Sequence, residues 1–198
     1  MRQNVLRAAM CAALLALPFA IPVPARAQLP GVPGVTPARI LQFGLGGGTS
    51  APLGDTGDAL KNGWHAQAML RVNPPVLPFW VRGDLAFHHF GLKNGAGSGK
   101  IYGAIARVGY NVLPAGPVKP YITIGLGTYK VTGLKNSGGT STEDSETTSG
   151  IDAGAGVTVS LLGFSGFAEV GIHNIHTDKG YGDAGSTRFV PLTFGLNF

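Results

Sequence analysis

The sequence is nearly without cysteine. Among 198 residues there is one, Cys11, and it lies in a stretch that reads as a removable leader. The remainder offers no disulfide, no thiolate nucleophile and no Cys-ligated metal. Charge is also scarce, with Asp, Glu, Lys and Arg at 13% of residues. The formal net charge of +5 overstates the basic excess, because Arg2, Arg7 and Arg26 belong to the leader. Setting them aside leaves 12 of the 15 basic residues against 10 acidic ones, or +2. So small a balance gives no basis for binding nucleic acid. Long hydrophobic runs are missing too. Past the N-terminus nothing approaches the roughly 18 apolar residues that suggest a membrane helix, although 44% of the chain is hydrophobic. Glycine is plentiful at 32 residues, but without a Gly-X-Y period, which excludes collagen. No P-loop or dinucleotide fingerprint occurs. Gly44 to Gly48 is glycine-rich, yet no helical pattern follows it to present an N-terminus to phosphate.

The first 27 residues read as a secretory signal peptide. Arg2 and Arg7 supply the charged start, Ala8 to Leu17 the apolar core, and Ala25-Arg26-Ala27 a small-x-small cleavage site. An uncleaved anchor would need a longer apolar core and would be broken by Pro18, Pro22 and Pro24. Lipidation at Cys11 is disfavoured, because Met10 stands where a small residue is wanted and most of the apolar core follows the cysteine. Residues 28–38 are Pro/Gly punctuation without periodicity, the pattern of a periplasmic linker. The chain is therefore expected to be exported, with residues 39–198 as one domain.

What that domain contains is alternation. In the last eleven residues, Val190, Leu192, Phe194, Leu196 and Phe198 share one face, opposite Phe189, Pro191, Thr193, Gly195 and Asn197. A period of two specifies a strand, and an unbroken apolar face beside small or polar residues specifies one side in a non-aqueous medium. The pattern recurs over 39–50, 63–73, 79–90, 100–112, 121–131, 150–161 and 165–175, for eight strands. Strand 121–131 is the least clean, since Tyr121, Tyr129 and Val131 fall on its glycine side. Pro191 cannot donate to a ladder, so a bulge or ragged rim is expected there.

The connections also alternate. Those after the first, third, fifth and seventh strands are longer and hydrophilic, and those after the second, fourth and sixth are short, with Pro or Gly. This is the asymmetry of external loops and periplasmic turns. Strands of this length match the roughly 9–11 tilted residues that cross an apolar layer. An open sheet in lipid would leave backbone groups unpaired, so the strands must close. The reading is all-β: an eight-stranded antiparallel up-and-down transmembrane β-barrel. A soluble lipocalin-like barrel for a small ligand is the alternative. It would place aliphatics inside and charges outside, whereas here the small-residue face holds Arg71, Arg82, Asp84, Arg107, Asp152 and Glu169.

With Phe198 at the end, Phe43 to Asp55 (FGLGGGTSAPLGD) and Val81-Arg82-Gly83-Asp84-Leu85, the chain resembles the small outer membrane protein β-barrel domain family. The resemblance covers the whole segment after the leader. It implies localisation in the outer membrane of a Gram-negative-type bacterium, contact with outer-membrane lipids, and assembly by the barrel-assembly machinery. Phe194, Leu196 and Phe198 would then form part of the assembly signal. The family includes adhesins and structural proteins, so the resemblance speaks for architecture more than for activity.

A narrow eight-stranded lumen is nearly filled by side chains, and a charge inside it must be paired or hydrated. Arg71, Arg82, Asp84, Arg107, Asp152 and Glu169 are expected to form a lumen ion-pair network. The favoured partners are Arg82 with Asp84, and Arg107 with Asp152 or Glu169. Trp80 and His88 complete the filling. His173 and His176 lie on opposite faces of an extended strand and would share a metal only if the strand had already ended; no metal or cofactor is expected. His173 with Glu169 also suggests a lipid hydrolase, but no Ser occupies 174–176 and Glu169 has inward parity. The expected role is structural or surface-interacting, without a wide pore and without catalysis. The outer-membrane lipid-modifying enzyme is the alternative. The polar stretch 133–149 is the candidate contact for an extracellular partner, and the barrel is expected to be a monomer.

Overall fold

A computed structural model describes residues 40–74, 77–93, 97–113, 116–134, 144–160, 164–177 and 185–198. The expected signal peptide and linker lie outside these residues. Eight strands form: β1 (Leu41–Pro52), β2 (Gly63–Val72), β3 (Phe79–Gly91), β4 (Ser98–Asn111), β5 (Val118–Leu134), β6 (Asp144–Ser160), β7 (Ser165–Ile175) and β8 (Thr187–Asn197). Each pairs antiparallel with its sequence neighbour, and β1 pairs with β8, closing the sheet into a barrel. The seam runs from Gly44 opposite Asn197 to Pro52 opposite Phe189. Phe198 extends it, exchanging backbone hydrogen bonds with Phe43 at 2.7 and 3.3 Å. No described helix is long and apolar enough to span a membrane; the strands do the crossing.

Burial follows the alternation and is inverted relative to a water-soluble protein. Leu85, Ile124 and Leu126 are 67–68% exposed, whereas Arg82, Asp84 and Arg107 are 2–4% exposed. Each large aliphatic left in water forgoes about 1.5–3 kcal/mol of transfer free energy, so this outer surface is built for hydrocarbon. Strand β5 keeps the expected parity. Ile122, Ile124 and Leu126 face out, and Tyr121, Tyr129 and Val131 are buried inside.

Glycines on the inner face make room for the lumen's rings. Trp80 stands directly across from Gly109, Tyr129 from Gly103, Tyr121 from Gly156 and Phe167 from Gly195. In each pair a methyl group on the glycine would press into the ring. Gly109→Ala is expected to lower stability by about 1–3 kcal/mol through overpacking against Trp80. Gly83→Ala, with nothing within 4 Å of its would-be Cβ, should leave the urea midpoint of the folded barrel unchanged.

Three features depart from the sequence reading. The first connection, expected as a hydrophilic external loop, contains a short helix, α1 (Asp55–Ala59). Leu60, just after it, is 1% exposed and bridges to Leu92, while Thr56 accepts a hydrogen bond from the Arg188 backbone at 3.1 Å. This connection thus folds over the external mouth and drops a leucine into it. The second departure concerns 133–149. Residues 144–149 are not loop but the first part of β6, hydrogen-bonded to the end of β5. Both strands are 17 residues long, well beyond the roughly 9–11 needed to cross the membrane, so the hairpin projects from it. Gly133, at φ 86°, absorbs a register shift between Thr132 and Leu134. Residues 135–143 lie outside the described ones. Third, Pro191 causes neither a bulge nor a frayed rim. The β7–β8 register is kept, but the pairing lapses between Val170–Leu192 and His173–Phe189, where Gly171 lies beside the proline ring. The missing N–H interrupts a ladder without displacing it.

Candidate functional site

The lumen is layered. Nearest the periplasmic turns, the Arg71 guanidinium lies 3.8 Å from the centroid of the Trp80 ring. Its Nε donates to Asn73 Oδ1 at 2.8 Å. Trp80 Nε1 donates to Asn111 Oδ1 at 3.1 Å. Arg71, expected among the ion pairs, makes none with the described residues. It is held by a cation–π contact and amide oxygens instead, while its direct cross-strand partner Arg82 takes the carboxylates.

The next layer carries the other five charges. Arg82 grips Glu169 with two parallel bonds, Nη1 to Oε2 at 2.9 Å and Nη2 to Oε1 at 2.8 Å, the bidentate geometry that suits a guanidinium. Its Nε lies 3.0 and 3.1 Å from the two Asp84 oxygens. Arg107 reaches all three acids: Asp84 at 2.8 Å, Asp152 at 2.6 Å and Glu169 at 3.1 Å. Tyr121 adds a donor to Glu169 at 2.8 Å. Gly125 stands between Arg107 and Asp152 in the register, and a Cβ there would meet both side chains. A glycine is what lets this pair close across three strands. With Arg71, the three arginines balance the three carboxylates, and all six residues are at most 8% exposed. Such a set avoids the penalty of a lone buried charge.

Above the charges lies a histidine layer. His65 and His88 are direct cross-strand partners, with ring centroids 5.1 Å apart. Ser50 Oγ lies 3.1 Å from His65 Nδ1 and 3.0 Å from His88 Nδ1. His65 Nε2 bonds with Thr193 Oγ1 at 2.9 Å. His173 joins the two layers, with Arg107 Nη2 at 3.2 Å from Nε2 and the Tyr129 hydroxyl at 3.0 Å from Nδ1. A guanidinium only donates. His173 Nε2 must therefore accept, and its ring proton sits on Nδ1, directed at Tyr129. Gln67 Nε2, His88 Nε2 and Asp152 Oδ2 are buried without a protein partner among the described residues, so the middle of the lumen stays polar. The external end is apolar. Phe90, Ile101, Val131, Ile175 and Phe189 are fully buried beneath Leu60.

Chemically, the Ser50–His88 contact has the atoms of a nucleophile and a base. Ser50 is fully buried between charged and apolar layers, however, so a lipid carbonyl has no approach to it. His173 is buried and His176 exposed, so the two do not converge on one ion. No group of metal-holding side chains is found among the described residues. Phe194 and Phe198 are 58% and 47% exposed and Leu196 42% exposed, all on the outer wall. The sequence reading did not place Ser50, His65, Tyr121, Tyr129 or Thr193 in one network. Their inward parity was visible; the register that brings them level was not.

The family described as outer membrane protein beta-barrel domain matches residues 11–198. Among solved structures, Neisserial surface protein A is similar with a TM-score of 0.63 at 14% identity, over 80% of this chain and 96% of that one. Ail, the attachment invasion locus protein of Yersinia pestis, is similar with a TM-score of 0.51 at 17% identity, over 80% of this chain and 97% of that one. At such identities the likeness is one of fold. No curated protein matches in sequence.

Proposed function

The chain belongs to the outer membrane protein β-barrel domain family and resides in the bacterial outer membrane, and from that premise we propose a closed barrel with a structural or surface-interaction role. The observation that carries the closed lumen is its stacking. Charged side chains, three arginines against three carboxylates over two adjoining layers, fill the middle, and an apolar layer capped by Leu60 fills the external end. An ion entering would have to separate buried pairs and then cross hydrocarbon, both steeply unfavourable. The projecting β5–β6 hairpin and residues 133–149 are the proposed contact for an extracellular partner. Lipids, the assembly machinery and a monomeric state complete the reading. The names of the two similar barrels, a surface protein and an attachment protein, point the same way for those proteins.

Planar-bilayer recording tests the closed lumen. The folded protein is expected to give no sustained open-channel current, and stable, well-conducting pores would overturn the proposal. Incubation with phospholipid and lipopolysaccharide is expected to release no acyl chain or headgroup. Turnover that disappears in His173→Ala would establish the enzyme instead. Binding to host or surface components should fall when residues 136–142 are removed while the heat-modifiable gel shift of the folded barrel persists.

A further inference from the structure

We propose that the membrane-facing wall of β1–β4, with Lys130 of β5, binds a phosphorylated glycolipid of the outer leaflet, of the lipopolysaccharide class. One acyl chain would lie in a groove and a phosphate on Lys100 and Lys130. The groove has a volume of about 610 Å³ and is walled by Leu45, Ala66, Ala68, Leu85, Phe87 and Tyr102. Its floor is backbone, since the residues between these point inward. Ala66 and Ala68 are the cause. Two small side chains in succession on β2, flanked by Leu45 on β1 and Leu85 on β3, leave a trough in the apolar surface.

The external end of the trough is aromatic. Trp64 contacts Phe87 edge-on at 5.3 Å, and Phe87 contacts Tyr102 at 5.1 Å. Cations follow immediately. Tyr102 pairs across the strands with Lys130, and His89 pairs with Lys100 two residues further out. Two residues of strand are about 6–7 Å, the step from acyl boundary to headgroup phosphate. Lys130 is exposed and Lys100 half-buried, and neither has an ion pair among the described residues. An aromatic girdle by itself is general to such barrels. Here the trough, the girdle and two lysines without an ion pair among the described residues fall on one sector. The external position selects the outer leaflet, and the lysines select an anionic headgroup.

Trp64 borders the site, and Trp80 is sealed in the lumen, so intrinsic fluorescence of the folded full chain in detergent reports binding through Trp64 alone. Titration with diphosphorylated lipid A is expected to be saturable and about tenfold tighter than with its dephosphorylated form or with phosphatidylglycerol. K100Q/K130Q should erase that preference while keeping heat-modifiable migration, and Ala68→Leu should weaken binding of all three lipids. The proposal is overturned if the dephosphorylated lipid binds equally well, or if phosphatidylglycerol does, which marks a general anionic contact. It also falls if the lysine variant retains the preference, or if native mass spectrometry shows a second copy of the chain on this wall.

Discussion

Arg107→Ala is expected to cost the folded barrel about 3–5 kcal/mol, the usual penalty for stranding buried charge. The residue touches all three lumen carboxylates. Glu169 would keep Arg82 and Tyr121, and Asp84 would keep Arg82, but Asp152 would lose its one ion-pair partner among the described residues. The lumen would pass from neutral to one excess negative charge. Equilibrium urea unfolding in detergent should show a large fall in midpoint. The double variant Arg107→Met with Asp152→Leu removes a charge of each sign and should recover most of the loss, since apolar replacement of a whole pair is often neutral. Lys93→Ala, on the exposed rim, should stay within about 0.5 kcal/mol of wild type. A loss under about 1 kcal/mol for Arg107→Ala would show the carboxylates to be well solvated, and the closed-lumen proposal would fall with it.

Removing Phe198 should strike the barrel twice. Its two backbone hydrogen bonds to Phe43 end the β1–β8 seam, and at about 0.5–1.5 kcal/mol each they account for roughly 1–3 kcal/mol of folded stability. The shortened seam also leaves part of the β1 edge unpaired in contact with lipid. In cells the effect should exceed that figure, because the terminal aromatic is proposed to be read during assembly. Phe198→Leu separates the two. It retains both backbone bonds, so urea stability should be near wild type, while the amount reaching the outer membrane falls. If Phe198→Leu inserts as well as wild type, the assembly-signal role of Phe194, Leu196 and Phe198 is wrong. Deleting residues 136–142 should leave insertion intact.

The fold was legible because a lipid-facing strand must repeat every second residue. The run from Val190 to Phe198 shows that period to the last residue, and so does Ile151 to Leu161. Parity then sorted Arg82, Asp84, Arg107, Asp152 and Glu169 to the inside, where they are buried. Less legible was anything that depends on length beyond the membrane. The polar composition of 144–149 looks like loop, yet those residues pair with 128–134, since backbone hydrogen bonding in a projecting hairpin does not require apolar side chains. Helix α1, only five residues long, carries no helical period to read. Its capping of the mouth is a tertiary contact of Leu60.

By itself, the sequence determined the class of solvent and the direction each side chain takes, because alternation and the sign of its apolar face are local properties of an extended chain. Only the tertiary structure decided which inward residues stand level with one another. That follows from the relative shift of eight strands around a closed ring, and no local pattern encodes it. Arg71 is drawn to Trp80 rather than to a carboxylate, and Ser50 meets two histidines from other strands. Both are consequences of that shift. So is the trough beside Ala66 and Ala68, which exists only because Leu45 and Leu85 flank them in register.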